Sequence, residues 1–574
     1  MRAQDVGILA VEIYTPNKQV LQEDLEAADG CPGKYTVGLG QVAMSFCDDR
    51  EDVISMALTV SQRLMELHQI APSEIGRLEV ASESGLDRSK SIKSHLMRLF
   101  SPSGCSDMEG ADSCHGCYGS TAALLNAVAW VGSDAWDGRY ALVVATDIAL
   151  YTPGTAACAT GGCGAAALLV GPHAPLVLER PRCTYAHHVD DFCKPCGRAQ
   201  PYPVVDGPLT VTQYLLAADR CYSGLEAKQG GVAQALPAST TMQDSRLRGV
   251  PPGLLQLCDF AVFHAPFNKI VTKAFARMFL AQLLRAAAAG DAEAGAALHA
   301  AVSDSAWAQQ RTGNTYTACL FTGLAGLLSR KGPAQLQGRR ILMFGFGSGL
   351  IATMYSLAVR CDSGQGEAGA AREAAGTSPV RTHAREHVSG PPVCYGLRSG
   401  SSHGLSASLS ESSPSHSHTC CAAASSPTVT HSDTTPSQLG SPAATSESSG
   451  AATRRSEATA LPEPEPGPSS SAVCSDPQPD PTTAIQPTGA AATAAHPRFT
   501  LQGLCTRLHL AQDLDARVRQ TAAQFAAASL AQESMYGRAP FTPSGEVGHL
   551  SPGTYYLTGV GESYARSYAC TPLA

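Results

Sequence analysis

Asp112-Ser113-Cys114-His115-Gly116-Cys117-Tyr118-Gly119-Ser120 runs straight into an apolar, small-residue stretch from Thr121 to Trp130. Ala122, Leu125, Val128 and Ala129 recur there at helical spacing, with Gly119 and Ser120 where the helix would start. The pattern places Cys117 on a turn at or just before a helix N-terminus. Unpaired N–H groups and the positive end of the helix dipole stabilise a thiolate there, so the thiol pKa is expected below its ordinary value of about 8.5. A small buried cysteine packed among glycines is the competing reading, since free cysteine often serves as a core hydrophobe.

Outward from this stretch, strand and helix patterns alternate over residues 5–172. Asp52 to His68 is helical through Ile54, Leu58, Leu64 and Met65; Arg77 to Ala81 is a short strand; Ser89 to Phe100 is helical through Ile92 and Leu96. Tyr140 to Ala145 and Gly164 to Gly171 are continuous apolar runs suited to strands buried on both faces. Residues 173–360 form a second segment of this kind. It has a strand at Phe260–Phe263, a helix from Lys269 through Leu284, and a strand Ile341–Phe344 running into Gly345-Phe346-Gly347-Ser348-Gly349. Such alternation predicts an α/β layered fold. Over 361–497 the composition turns to Ser, Thr, Pro, Gly, Ala and His. Burial of so few large apolar residues cannot offset ordering entropy, so a long disordered insertion is expected. Order should resume at Arg498, with a helix around Leu510 to Ala526 and a strand near Gly553 to Gly559, residues 498–574 completing the second half.

At 574 residues the chain exceeds what one core usually holds. A net charge of −8, with no run of more than two Lys or Arg, argues against nucleic acid as a partner. No stretch approaches the roughly 18 uninterrupted apolar residues of a membrane span. The N-terminus, with Asp5 and Glu12 in a strand-like run, reads as neither a signal peptide nor a transit peptide. A soluble cytoplasmic protein is expected, its 20 cysteines mostly reduced.

Four short pieces join Cys117 in chemistry: Glu83 after Val80-Ala81-Ser82, His264 after Val262-Phe263, Asn314 in Gly313-Asn314-Thr315, and Ser348 between two glycines. A thiolate accepts an acyl group while an imidazole and an amide donate hydrogen bonds to carbonyl oxygens, so the set suits acyl transfer. Each piece alone also fits a structural role.

With these residues the chain carries Gly33-Lys34-Tyr35-Thr36-Val37-Gly38-Leu39-Gly40-Gln41, Phe46-Cys47-Asp48-Asp49-Arg50-Glu51-Asp52, Trp136-Asp137-Gly138-Arg139-Tyr140, Tyr202-Pro203-Val204-Val205-Asp206-Gly207 and Gly347-Ser348-Gly349-Leu350. In these it resembles the hydroxymethylglutaryl-coenzyme A synthases of the eukaryotic mevalonate pathway, over most of residues 5–360 and the tail after 498. The resemblance implies a thiolase-like five-layer fold of two similar halves, a homodimer, and condensation of acetyl-CoA with acetoacetyl-CoA, with no metal and no cofactor beyond these CoA thioesters. By similarity Cys117 takes the acetyl group, Glu83 is the general acid/base, and His264 hydrogen-bonds the acetoacetyl group. Lys269 and Lys273 resemble the family's lysines for CoA phosphates, and Asn314, Ser348, Ser223 and Thr160 would line the acyl pocket.

The chain departs from the family where Gly154-Thr155-Ala156-Ala157-Cys158-Ala159-Thr160-Gly161-Gly162 replaces Gly-Asn-Ala-Arg-Pro-Thr-Gly-Gly, and in an Ala-rich region between Leu284 and Arg311 that is shorter than the family's. Two rival readings remain. A ketoacyl synthase would also use Cys117, His264 and Asn314, but it generates its carbanion by decarboxylation and needs no counterpart of Glu83. A thiol redox or zinc-binding protein would use the C-x-x-C pairs Cys114/Cys117 and Cys193/Cys196. Oxidation of Cys114 with Cys117 would give a reversible switch, against the alternative of a buried, inert Cys114.

Overall fold

The computed structural model describes residues 3–194, 201–230, 258–286, 294–361 and 498–573. The expected disordered insertion after Cys361 and the Cys196 member of one C-x-x-C pair lie outside them.

Among the described residues nine strands form one sheet: β1 (Gly7–Tyr14), β2 (Ile75–Ala81), β3 (Asp112–Ser113), β4 (Tyr140–Ile148), β5 (Cys163–Gly171), β6 (Leu176–Ala186), β7 (Phe260–Phe263), β8 (Arg340–Gly347) and β9 (Ile351–Val359), in spatial order β7-β8-β9-β6-β1-β5-β4-β2-β3. The order repeats itself. On the N-terminal side β1 pairs antiparallel with β5, β5 antiparallel with β4, and β4 parallel with β2. On the C-terminal side β6, β9, β8 and β7 follow with the same three orientations. The two halves join where Gly7 and Ile8 of β1 meet Val177 and Leu176 of β6.

Period-2 alternation sorts the strands' side chains between separate cores. Ala141, Val143 and Ala145 of β4, with Ile341 and Met343 of β8, point into a central core shared with the helices α2 (Gly119–Val131) and α6 (Cys319–Leu336). Leu142 and Val144 instead face α1 (Val53–Leu67). Leu342 and Phe344 face α3 (Gly207–Gly230) and α4 (Asn268–Ala286). With the two halves of the sheet on either side of α2 and α6, the result is helix, half-sheet, helix, half-sheet, helix: a thiolase-like fold of five layers. The middle-layer helices are apolar nearly all round because both faces meet a sheet, as Gly119-Ser120-Thr121-Ala122-Ala123-Leu124-Leu125 illustrates. The shortened region before Asn314 forms α5 (Ala294–Thr312), whose Ser305 and Gln309 side chains donate to the main-chain oxygens of Ala261 and Phe263, each at 2.8 Å.

The tail departs from the expected single helix around Leu510 to Ala526. A short helix Leu510–Asp515 is followed by a strand, Val518–Gln520, that pairs with Lys18–Val20. A new helix, α7 (Ala522–Met535), then begins under a Thr521 cap. Ser89–Phe100 is likewise shorter than its pattern, with α-helix over Ile92–Leu96 and a tighter 3-10 turn over Met97–Leu99. The tail returns to the N-terminal half. Asp52 caps α1 by accepting from the amides of Ile54 (3.0 Å) and Ser55 (2.8 Å), and its other oxygen accepts from Arg566 (2.9 Å) and Tyr568 (2.7 Å). Asp52 is fully buried. Asp52→Ala should therefore cost about 3–5 kcal/mol by stranding Arg566, read as a lower unfolding midpoint. An unchanged midpoint would show that Arg566 finds water instead.

Candidate active site

Cys117 lies in the turn between β3 and α2, one residue from the helix, where the sequence places it. The turn closes through the Tyr118 amide to His115 O and the Gly119 amide to Gly116 O, both at 3.2 Å. The C-terminal half reaches it through the loop after β8. A β-carbon on Gly347 would stand 2.5 Å from His115 O and 2.7 Å from Tyr118 N, so this approach requires glycine. A β-carbon on Gly116 would lie 3.3 Å from Glu83 Oε2 and 3.4 Å from Ser348 N, which shows how closely the three residues converge.

Glu83 follows β2, and its Oε2 is 3.8 Å from Cys117 Sγ. Burial pushes the carboxyl up to about 7, with Lys194 opposing and Asp147 adding to the rise. The thiol does not behave as its helix position predicts. Burial first, then the charges of Glu83 and Asp147, push Cys117 well above the ordinary thiol range. Enclosure by protein and two nearby carboxylates outweigh a helix-terminus effect that amounts to about half a charge. The resting pair is a neutral thiol beside a carboxyl that changes charge near neutrality.

Asp147, at the end of β4, fixes this arrangement: Oδ1 accepts from Ser82 Oγ (3.0 Å) and the Glu83 amide (2.9 Å), and Oδ2 from the Thr317 amide (3.0 Å). Lys194 Nζ lies 3.6 Å from Glu83 Oε1 and donates to Glu83 O at 3.2 Å. Asp191, in the same segment, accepts from the Gly349 amide at 2.9 Å and so ties down the glycine turn. None of the three is among the site residues expected from sequence. Asp147 closes an otherwise apolar strand, which is a usable signal; Lys194 and Asp191 carry none that separates them from ordinary loop charges.

His264 follows β7, its amide donating to Phe344 O (2.9 Å) and its carbonyl accepting from Tyr214 Oη (2.7 Å). The ring stacks on Phe346, the residue before the glycine turn, at 6.5 Å between centroids. Burial holds its pKa down to about 3, so the imidazole is neutral. Neither ring nitrogen has a partner among the described residues, which leaves one donor and one acceptor for a ligand. Asn314 is buried and meets Thr160, its main-chain N–H donating to Thr160 O at 2.9 Å while its side-chain Oδ1 accepts from the Tyr316 main-chain N–H at 3.0 Å. The Thr160 hydroxyl is turned to Ala157 O, 2.7 Å away. Ser348 is half-buried beside the nucleophile turn.

Ser223 does not join them as expected: it is exposed on α3 while its neighbours Cys221 and Tyr222 face the core. Helical geometry turns adjacent residues to different faces, and this one faces outward. Lys269 and Lys273 stand exposed one turn apart at the start of α4, where the Lys269 amide donates to Leu39 O of the Gly33–Gln41 stretch. Cys114 is exposed, contrary to a buried thiol, and lines a cavity of about 560 Å³ with Glu83, Lys194, Arg88 and Lys90. A second, apolar cavity of about 500 Å³, walled by Phe46, Tyr151, Cys158 and Phe525, is lined by none of Cys117, Glu83 and His264. Among the described residues no three His, Cys, Asp or Glu side chains converge as a metal site, and no helix is long and apolar enough to cross a membrane.

Comparison with known proteins gives the same direction. Residues 2–175 match the model of the hydroxymethylglutaryl-coenzyme A synthase N terminal, and 176–301, 292–386 and 491–571 that of its C terminal. The chain is 44% identical over 396 residues to the mouse protein named hydroxymethylglutaryl-CoA synthase, cytoplasmic, covering 64% of this chain and 74% of that one. It is 41% identical over 392 residues to hydroxymethylglutaryl-CoA synthase of Ganoderma lucidum, covering 63% and 81%. The solved structure of MvaS in complex with 3-hydroxy-3-methylglutaryl coenzyme A aligns over 100% of both chains with a TM-score of 0.66 and 25% identity. The chain therefore belongs to the hydroxymethylglutaryl-coenzyme A synthase family.

Proposed function

We propose that this chain condenses acetyl-CoA with acetoacetyl-CoA using Cys117 as acyl acceptor, Glu83 as general acid/base and His264 as hydrogen-bond donor to the acetoacetyl carbonyl. The observation that carries these roles is the 3.8 Å approach of Glu83 Oε2 to Cys117 Sγ in a site that pushes the carboxyl up to about 7. A base that changes charge near the working pH is suited to taking a proton and returning it.

In the first step the Cys117 thiol gives up its proton and attacks the acetyl carbonyl, and CoA leaves as its thiol. Glu83 then removes a methyl proton from the acetyl thioester. The resulting carbanion adds to the C3 carbonyl of acetoacetyl-CoA, whose oxygen collects a proton and becomes the 3-hydroxyl. Water cleaves the thioester, freeing Cys117 and 3-hydroxy-3-methylglutaryl-CoA. Developing oxygen charge needs fixed donors. With the Gly349 amide held by Asp191, the Ser348 amide and the His264 imidazole are the donors assigned here. Asn314 and Thr160 form one wall of the acyl pocket, and Lys269 and Lys273 take CoA phosphates. No cofactor enters these steps.

A homodimer is supported by the edge strand β3, which has one strand neighbour among the described residues, and by Leu86, Met97, Leu99, Cys105 and Met108, which remain partly exposed. Cytoplasmic residence is supported by the names of the mammalian relatives. The test is to incubate protein with both thioesters, detect 3-hydroxy-3-methylglutaryl-CoA, and trap a hydroxylamine-labile acetyl group on the Cys117 peptide. Product without that intermediate would refute the assigned roles.

A further inference from the structure

We propose that Lys194 is the positioning residue for Glu83, holding its carboxylate ionised and turned toward Cys117 for the proton transfers of the condensation. The inference rests on the roles proposed above for Cys117 and Glu83.

Lys194 is held from several sides. It follows a two-residue strand, Phe192–Cys193, paired with Val204–Val205, and its ammonium stands 4.7 Å from the centre of the Tyr316 ring and 5.9 Å from that of Phe192. Aromatic faces hold a cation by their quadrupoles, and a lysine with 20% of its side chain exposed loses little of that attraction to water. Its donors converge on both ends of one residue, the Glu83 main-chain oxygen at 3.2 Å and Oε1 at 3.6 Å. Oε1 is buried without a hydrogen bond among the described residues, so the ammonium charge is what anchors it. With Oε1 drawn to Lys194, Oε2 is the oxygen left facing Cys117 Sγ.

The charges around Glu83 show why a cation is needed there. Cys114 and Cys117 face it from the nucleophile turn, Asp147 from β4, Tyr151 from the loop after β4, and Tyr316 from the turn before α6. Each of these groups is neutral or negative when it titrates. Asp87, Arg88 and Lys90 line the same cavity, but among the described residues Lys194 is the cation paired with the Glu83 carboxyl, and its field opposes a carboxyl already raised by burial. Without it Glu83 would stay protonated further into the neutral range and could not act as a base.

The experiment compares wild type, Lys194→Met and Lys194→Arg by the pH dependence of kcat/KM for condensation, and by the stoichiometry of acetyl transfer to Cys117. The acid limb should move upward by about one pH unit or more in Lys194→Met. Condensation at pH 7 should fall by about tenfold or more, while acetyl stoichiometry per chain, the measure of a folded site, stays at the wild-type value. Lys194→Arg should bring the limb most of the way back, as a retained cation can and a merely space-filling side chain cannot. A Lys194→Met enzyme that acetylates normally with its limb unmoved overturns the inference while leaving Cys117 and Glu83 in their roles. A variant that loses acetylation and condensation together assigns Lys194 a structural part and also overturns it. A wild type that takes up no acetyl group would bring down the underlying reading itself.

Discussion

Cys117→Ala should take up no acetyl group from acetyl-CoA and lose condensation by a factor on the order of 10⁴ or more, because a covalent route has no substitute once its nucleophile is gone. The structure makes this sharper than chemistry alone. Cys117 is one of two thiols in the turn, and the other, Cys114, is exposed beside Glu83 in the same cavity. Were acylation governed by exposure, Cys114 would be the acceptor. The proposed role falls to Cys117 instead, because Glu83 Oε2 and the glycine turn converge on it. Cys114→Ser should therefore keep full acetyl stoichiometry while Cys117→Ala keeps none, measured by mass of the intact chain and of the peptide carrying both cysteines. Label persisting on Cys117→Ala at the wild-type level would transfer the nucleophile's role to Cys114.

How far the sequence carries the argument depends on the range of the physics involved. The strand Phe260–Phe263 and the start of α2 at Gly119 follow from local apolar runs and spacing, and the structure has both at those residues. Val518–Gln520 is different. Its residues are largely exposed and become a strand through pairing with Lys18–Val20, a partner almost a whole chain away. The Cys117 thiol fails for the same reason in reverse. Its helix terminus is visible locally and argues for a lowered pKa, whereas the burial and the two carboxylates that raise it come from β2 and β4. Ser223 enters the expected pocket by resemblance alone, and neither its residue type nor its spacing states which face of α3 it occupies.

Glu83→Ala should keep acetylation of Cys117 yet lose condensation by a factor on the order of 10² to 10⁴, the usual range for a general acid/base. The two half-reactions part because thioester exchange requires no carbon acid, whereas condensation starts by breaking a C–H bond. Electrostatics adds a second reason. The Glu83 charge is one of the causes holding the Cys117 thiol up, so its removal makes the thiolate easier to form and offsets the loss of a nearby proton acceptor. Stability separates this loss from unfolding. Glu83 has a folded pKa of about 7 against an ordinary 4.5, so the folded state favours its protonated form. Its ionisation therefore costs stability progressively as pH rises from about 4.5 to about 7, and the cost is constant above that. Alanine carries no such cost, so Glu83→Ala should unfold at the same or a higher temperature than wild type at pH 8, with any advantage fading toward pH 5. Acetyl uptake by single turnover, condensation at steady state and thermal unfolding at the two pH values check the three parts together. Equal loss of acetylation and condensation in a variant of unchanged thermal stability would make Glu83 the base for the thiol and leave the carbon acid to another group.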